Sequence, residues 1–331
     1  MAKKGEVVVI TGASAGIGRA AVEQFARRGA RIGLIARDQN RLQATKREVQ
    51  QLGGEALPLS VDVADADAVE NAAARVENEF GPLDVWINSA MANVVAPVIE
   101  IRPEEFKRAT EVTYLGFVYG TMAALRRMVP RDKGTIVQVG SGLAFRSIPL
   151  QAAYCGAKHA ILGFTDSLRS ELIHQKSKVH VTVVQLAAMN TPQFSWCRTR
   201  VPRRLQPVPP IYQPEVAARA IYWAAHHRRR EVFVGASTPA VIYGQNLFPG
   251  LADWFLGKAG YKLQQTSQTI DPERPDNLFE PVPGEFAARG ILSDKAINFS
   301  LQSWASLHRG WAGLATSALA GAGVLLWKRR R

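Results

Sequence analysis

Short apolar segments alternate with amphipathic segments throughout the first 235 residues of this 331-residue chain. The apolar segments have the length of buried strands and predict strands at Val7–Ile10, Arg31–Ala36, Ala56–Val61, Val85–Asn88, Thr135–Val139, Val179–Leu186 and Glu231–Val234. The amphipathic segments predict helices at Gly16–Arg28, Arg41–Leu52, Pro103–Met128, Ala152–Ile173 and Pro214–His226. Such alternation predicts an α/β fold with a doubly wound parallel sheet of about seven strands.

A glycine-rich loop, Thr11-Gly-Ala-Ser-Ala-Gly-Ile-Gly18, follows the first predicted strand and opens the first predicted helix. Glycine permits a tight turn and lets backbone N–H groups approach a pyrophosphate at the positive end of a helix. An ordinary strand-to-helix turn is the alternative, but this context favours a dinucleotide site of the Rossmann type. The candidate cofactor-binding residues in the loop are Gly12, Ser14, Gly16, Ile17 and Gly18.

The second and third predicted strands end in residues that bear on the choice of cofactor. NAD-binding proteins usually carry an acidic residue after the second strand, where it bonds the ribose hydroxyls. Here the strand ends in Ala36 and Arg37, and Arg37 is suited to pair with a 2′-phosphate, which favours NADP over NAD unless Arg37 is only a solvated charge. Asp62 is a candidate both for contact with the adenine and for the cap of the next helix, and the two roles are compatible.

Tyr154 and Lys158 are four residues apart in a predicted helix, and Ser141 lies thirteen residues before Tyr154. Residues at that helical spacing share a face. A free tyrosine has a pKa near ~10, and a neighbouring ammonium group lowers it. We therefore predict that Lys158 lowers the pKa of Tyr154, that Tyr154 exchanges a proton with a substrate oxygen, and that Ser141 holds that oxygen.

These motifs, in this order, resemble the classical short-chain dehydrogenase/reductase family over residues 6–235. Further matching segments are Asp62-Val63, Asn88-Ser-Ala90 and Thr191-Pro192. The resemblance implies hydride transfer between a nicotinamide cofactor and a carbonyl or secondary alcohol. It assigns Ser141, Tyr154 and Lys158 to catalysis, with Lys158 also on the nicotinamide ribose, Asp62 and Val63 to the adenine, Asn88 to the cofactor site, and Thr191 to the nicotinamide amide. It also implies a homodimer or homotetramer.

Three positions depart from the family pattern. Thr113 stands where the family has a catalytic asparagine that supports a water linked to the lysine, Met91 replaces a common glycine, and Leu186-Ala-Ala188 replaces a Pro-Gly turn. These departures motivate an alternative function, a catalytically impaired NADP-binding sensor or scaffold. The intact Ser141, Tyr154 and Lys158 favour the enzyme.

The segment between Thr191 and Pro214 corresponds to the part of the family that covers the substrate. Its aromatic residues, Phe194 and Trp196, predict a hydrophobic substrate pocket. Its four arginines either meet an anionic group or form a solvated surface; they are Arg198, Arg200, Arg203 and Arg204.

After Gly235 the alternation stops, which predicts three parts: a catalytic domain over 1–235, an extension over 236–309, and an apolar, basic-ended tail over 310–331. The extension predicts helices around Leu251–Leu256 and Ala296–Leu307. Trp311–Trp327 carries no charge and precedes Lys328–Arg331. Three placements of this tail stay open: at a membrane interface, against a partner subunit, or across the bilayer.

The formal net charge is +13, but the basic residues are scattered and no nucleic-acid recognition motif accompanies them. We therefore predict a small-molecule substrate and no nucleic-acid partner. The two cysteines, Cys155 and Cys197, have no metal-ligand spacing and imply no disulfide framework, so the sequence predicts no metal and a cytoplasmic location.

Overall fold

A computed structural model of the protein describes residues 5–271 and 273–309. Seven parallel strands form one sheet in the order β3-β2-β1-β4-β5-β6-β7. The strands are β1 (Val7–Thr11), β2 (Arg31–Ala36), β3 (Glu55–Ser60), β4 (Val85–Asn88), β5 (Thr135–Val139), β6 (His180–Leu186) and β7 (Glu231–Val234). The predicted α/β fold is confirmed, and each strand begins and ends within one residue of its predicted bounds.

Helices cover both faces of the sheet, and this explains why its strands are almost continuously apolar. The helices are α1 (Gly16–Ala26), α2 (Gln39–Gln51), α3 (Ala66–Phe80), α4 (Pro103–Thr110), α5 (Gly116–Met128), α6 (Ala152–His174), α7 (Gln193–Trp196), α8 (Pro214–His226), α9 (Ser237–Leu247), α10 (Pro249–Leu263) and α11 (Leu301–Leu307). Helices α1, α2 and α8 contribute to one hydrophobic core, and helices α3 to α6 contribute to the other.

The long helix predicted over Pro103–Met128 is interrupted by a π-helical turn at Glu111–Leu115. Inside this turn the hydroxyl of Thr113 donates to the carbonyl oxygen of Ala92 at 2.8 Å and accepts from its backbone N–H at 2.9 Å. Helical periodicity cannot indicate such a turn, because the bonds join residues far apart in sequence. The predicted helix is confirmed over Pro103–Met128, and the π-helical turn inside it is a feature that the sequence did not indicate.

The chain after Gly235 contacts the catalytic part at several places. Among them are the contact of α11 with the end of β7 and the pairing of Gln265–Thr269 with Arg203–Leu205. Helix α10 is longer than predicted, and α11 begins only at Leu301, where the side chain of Ser300 caps it. The segment between Thr191 and Pro214, here called the lid, pairs with neighbouring segments through short strands. The pairs are Val94–Val95 with Arg198–Thr199, Ala188–Met189 with Ile211–Tyr212, and Arg203–Leu205 with Gln265–Thr269. The division into three parts stays a prediction, and the tail over 310–331 lies outside the described residues.

Among residues 5–271 and 273–309, we find no helix with the length and apolar character needed to cross a membrane.

Two glycines offer a matched test of packing against β4. A Cβ atom at Gly120 of α5 would lie 2.3 Å from Oδ1 of Asn88 and 2.7 Å from Nε1 of Trp86, whereas one at Gly163 of α6 would meet nothing within 4 Å. We expect Gly120→Ala to lower the free energy of unfolding by about 1–3 kcal/mol through overpacking. Gly163→Ala is expected to raise it by about 0.5–1 kcal/mol. Urea unfolding measures both, and equal effects would contradict the packing.

Candidate active site

A cavity of about 530 Å³ lies at the carboxyl ends of the strands, within the size range of small-molecule sites. The structure brings twelve of the predicted site residues together on its walls: Gly12, Ser14, Gly16, Ile17, Gly18, Arg37, Asp62, Val63, Ser141, Tyr154, Lys158 and Thr191. Asn88 is fully buried in β4 instead. Its amide group donates to Thr121 and Gln138, and its oxygen accepts from the indole of Trp86.

The glycine loop forms a tight cradle at the start of α1. Gly12 has a φ of +70°, and a Cβ atom there would lie 2.9 Å from the Cα of Ala90. A Cβ atom at Gly18 would lie 2.2 Å from the carbonyl oxygen of Gly12. The N-cap of α1 is Ala15, whose methyl group cannot accept a hydrogen bond from the first turn. This end of the helix therefore suits an anionic ligand such as a pyrophosphate.

Residues 275–292, here called the strap, cross the outside of this cradle. The strap accepts hydrogen bonds at the carbonyl oxygens of Phe286 and Ala287 from Arg19 and from the backbone N–H of Gly16. Its residues Asn277 and Pro281 form part of the cavity wall. The sequence shows this segment only as polar and proline-rich, and no motif in it points to the cavity more than two hundred residues away.

Three guanidinium groups meet at the end of the cavity formed by β2 and β3. Arg37 donates to strap carbonyl oxygens at Asn277 and Phe279, and Arg41 pairs with Asp38 at 2.8 Å. Burial lowers the pKa of Arg37, and the positive charge of Arg108 lowers it further. Nε of Arg41 is buried without a hydrogen-bond partner among the described residues. An anionic group such as a phosphate would offset this concentration of positive charge.

Asp62 belongs to the same end of the cavity. One carboxylate oxygen accepts from the backbone N–H of Ala64 at 3.0 Å, and the other forms an ion pair with Arg108. The N-cap of α3 is Asp65, which accepts from the N–H of Ala68 at 2.9 Å. The interpretation of Asp62 as the helix cap is therefore wrong. Asp62 lines the cavity, and its contact with the adenine stays a prediction.

The three predicted catalytic residues converge from β5 and α6. Ser141 follows β5, where its backbone N–H donates to Oε1 of Gln185 at 2.9 Å and its hydroxyl accepts from the backbone N–H of Leu143 at 3.1 Å. Lys158 donates to the carbonyl oxygen of Val139 at 2.7 Å, and its Nζ lies 5.5 Å from the centre of the Tyr154 ring. Gln185 is a buried support for Ser141 that sequence reasoning missed.

The electrostatics of Tyr154 differ from the sequence-based expectation. Burial raises the pKa of Tyr154, and the neighbouring side chain of Ser141 offsets this only in part. Burial also lowers the pKa of Lys158 to about 7, so Lys158 is not a permanent cation beside the phenol. The expectation that Lys158 lowers the pKa of Tyr154 is therefore wrong for the protein by itself, because both groups are desolvated together.

Two of the four lid arginines have a structural task. Arg198 and Arg200 contact Oε1 of the fully buried Glu105 at 2.9 and 2.7 Å, and Arg198 also pairs with Asp276. Burial raises the pKa of Glu105, but hydrogen bonds, first among them that from Arg200, lower it to about 2. These two guanidinium groups are thus engaged in anchoring the lid, whereas Phe194 and Trp196 line the cavity as predicted.

The end of the cavity beyond Ser141 and Tyr154 is mainly apolar. Its walls come from the loop before α6 and from α9 and α10, and the apolar side chains are Leu143, Ile148, Val241, Phe255 and Leu256. Arg146, which also lines this end, donates to Gln245 at 2.9 Å and pairs with Asp253 at 2.7 Å. The sequence carried no local signal that Val241, Phe255 and Leu256 line the cavity, because their helices belong to the extension.

Comparisons with known proteins match this arrangement. The family model for short chain dehydrogenases matches residues 6–200. The uncharacterized oxidoreductase YxnA of Bacillus subtilis is 31% identical over 84% of this chain and 78% of its own length. The 3-dehydrosphinganine reductase of Danio rerio is 31% identical over 66% of this chain and 67% of its own. The fatty acyl-CoA reductase of Acinetobacter baylyi is 29% identical over 69% of this chain and 76% of its own.

A crystal structure of a metagenomic short-chain oxidoreductase in complex with NADP superimposes with a TM-score of 0.59. It is 26% identical and covers 70% of this chain and 97% of its own. The matched residues include the glycine cradle, Ser141, Tyr154 and Lys158, which lie together in the cavity. On the strength of the family model and of a relative aligned over most of its length, this protein is an oxidoreductase of the short-chain dehydrogenase family.

Proposed function

We propose that this protein is an NADP-dependent oxidoreductase that interconverts a carbonyl group and a secondary alcohol on a hydrophobic small molecule. The observation that carries the proposal is the position of Ser141, Tyr154 and Lys158. They lie in one cavity, between the glycine cradle on one side and apolar walls on the other. A substrate oxygen near Ser141 and Tyr154 would thus lie between the glycine cradle and the apolar walls.

The residues present fit a phosphorylated dinucleotide. The start of α1, which has no side-chain cap, suits its pyrophosphate, and Arg37 and Arg41 suit a 2′-phosphate. Thr191, which the family resemblance assigns to the nicotinamide amide, lines the same cavity. When bound, this cofactor supplies or accepts the hydride. The neighbouring structure that contains NADP supports the same choice of cofactor.

The chain's own residues provide proton transfer and orientation. In the reducing direction the phenol of Tyr154 donates its proton to the substrate oxygen, while the hydroxyl of Ser141 holds that oxygen. A raised pKa keeps Tyr154 protonated and therefore ready to donate in that direction. Lys158 gains charge when anionic groups enter the cavity, and its ammonium group then stabilises the phenolate that proton donation leaves behind.

A hydrophobic substrate is supported by the walls around Val241, Phe255 and Leu256 and by the lid aromatic residues. The names of the two reductase relatives, for a fatty acyl-CoA and for 3-dehydrosphinganine, agree with an apolar substrate. The function is tested by a panel of apolar ketones, aldehydes and secondary alcohols, assayed with NADP(H) and with NAD(H). Turnover of none of them, together with tight NADPH binding, would instead support the impaired sensor suggested by Thr113.

The lowered pKa of Lys158 makes a pH-dependent prediction. At pH 8 a group with a pKa of about 7 is only about one-tenth protonated. The phosphates of NADPH raise that pKa, so binding at pH 8 is expected to take up close to one proton. Calorimetry in buffers of different ionisation enthalpy measures this uptake. Lys158→Met should abolish it, and equal uptake in both proteins would assign the proton to another group.

A homodimer or homotetramer remains a prediction from the family resemblance, and sedimentation velocity tests it directly.

A further inference from the structure

Helices α9 and α10, with the residue between them, expose eight large apolar side chains, here called the docking face. Three of its members have solvent-exposed fractions of 69% for Leu247, 63% for Leu251 and 59% for Trp254. On α10 the exposed apolar residues follow helical spacing and share one side of the helix. The docking face consists of Val241, Tyr243, Leu247, Phe248, Leu251, Trp254, Phe255 and Tyr261.

The docking face is continuous with the cavity. Val241 and Phe255 are exposed to solvent and also line the cavity wall. Gly244, Ala252 and Leu256, from the same two helices, also line the cavity. An apolar molecule in contact with this surface would therefore be next to the apolar end of the site that contains Ser141 and Tyr154.

Charges around the docking face have the sign that an anionic surface attracts. Asp253 is the one carboxylate in α9 and α10, and Arg146 pairs with it at 2.7 Å. Lys258 and Lys262 are exposed on α10 and form no salt bridge within the described part of the chain. Nζ of Lys258 lies 4.6 Å from the centre of the Trp254 ring. Aromatic rings beside lysines are typical of surfaces that lie in the headgroup region of a bilayer.

The described chain ends at residue 309, just after α11. Helix α11 runs antiparallel to β7. The hydroxyl of Ser303 accepts from the backbone N–H of Gly235, just after β7 ends, and the carbonyl oxygen of Ser306 accepts from the side chain of Arg229, which precedes β7. The described chain thus ends at the amino edge of the sheet, away from the cavity.

We propose that the docking face binds the surface of a lipid bilayer that contains anionic headgroups. A second copy of the chain on this face would cover the approach to Val241 and Phe255. A bilayer would instead bring an apolar substrate to them. Lys258 and Lys262 provide the electrostatic attraction, and the exposed side chains enter the interface. The proposal concerns binding, so it holds or fails independently of turnover.

The first test measures the environment of single positions in the full-length chain. Both native cysteines, Cys155 and Cys197, are buried, so a Leu251→Cys variant offers one accessible thiol for an environment-sensitive fluorophore. Ile173→Cys is the matched control, because Ile173 is 76% exposed on α6, outside the docking face. With vesicles of phosphatidylcholine and phosphatidylglycerol, a blue shift is expected at position 251 and none at position 173. No shift at position 251, or equal shifts at both, would overturn the proposal.

The second test measures vesicle binding by co-sedimentation. The triple variant Leu247→Ser, Leu251→Ser and Trp254→Ser is expected to bind vesicles at least about tenfold more weakly than the parent, since it removes exposed apolar area. The control Ile99→Ser with Ile173→Ser should bind like the parent. Lys258→Glu with Lys262→Glu should remove the preference for phosphatidylglycerol over phosphatidylcholine alone.

Two other outcomes would refute the docking face as a membrane surface. If the triple variant binds vesicles like the parent while deletion of residues 310–331 abolishes binding, the C-terminal segment is the membrane contact. If the triple variant instead changes a dimer to a monomer in sedimentation velocity, with vesicle binding unchanged, the occupant is a second copy of the chain.

Discussion

Tyr154→Phe is expected to lower turnover about a thousandfold while NADPH binding stays within about threefold of the parent protein. The substitution keeps the ring beside Lys158 and removes only the phenolic hydroxyl. Because the proposed proton donor is lost and the cradle residues are untouched, kcat should fall far more than the affinity for the cofactor. Turnover is measured with a carbonyl substrate that the parent reduces, and NADPH binding is measured by fluorescence titration.

A second tyrosine provides the control for this experiment. Tyr222 lies on α8, where its ring packs edge-on against Phe25, away from the cavity. Tyr222→Phe should leave both turnover and NADPH binding unchanged. Substantial turnover by Tyr154→Phe would remove Tyr154 from the proposed role, whereas loss of NADPH binding would indicate that the hydroxyl supports the shape of the site.

Arg37→Ala and Arg41→Ala are each expected to weaken NADPH binding about tenfold or more, with a much smaller effect on NADH. NADPH and NADH differ by the 2′-phosphate, and these guanidinium groups lie where β2 ends at the cavity wall. Arg41 has a buried nitrogen without a partner among the described residues, so a phosphate would satisfy it. Dissociation constants for both cofactors, measured by titration, give the ratio that tests the prediction.

The ratio matters because Arg37 also bonds the strap at Asn277 and Phe279. If its replacement only loosened the strap, NADPH and NADH would lose affinity by the same factor, and the assignment to the 2′-phosphate would fail. Arg47→Ala is the matched control, since Arg47 is an exposed arginine on the same helix as Arg41. Its replacement should change neither constant.

Local sequence patterns were sufficient for the sheet and for twelve of the predicted site residues on the cavity wall. A strand of a parallel sheet is covered on both faces, so β1 appears in the sequence as an uninterrupted apolar run ahead of the glycine loop. The glycine loop, Ser141, and the pair of Tyr154 and Lys158 each depend on short-range spacing, and the parallel topology then collects them at one edge of the sheet.

Features that depend on contacts between distant segments could not be predicted in this way. The π-helical turn around Thr113 depends on bonds to Ala92, and the ion pairs of Arg198 and Arg200 depend on Glu105 in another helix. The ionisation of Lys158 depends on how deeply the fold buries it. Sequence spacing indicates that two groups are neighbours, but it does not indicate how much water surrounds them.

The sequence by itself determined the doubly wound sheet, the glycine cradle and the identity of the three candidate catalytic residues, because each follows from local periodicity or short spacing. Only the tertiary structure decided that the strap crosses the cradle, that Arg41 joins Arg37, and that α9 and α10 form the apolar wall and the docking face. These features arise where the extension packs against residues as many as 271 positions away, from Gly16 to Ala287. Such contacts leave no periodic pattern in the chain, since packing and hydrogen bonding between remote segments depend on the completed fold.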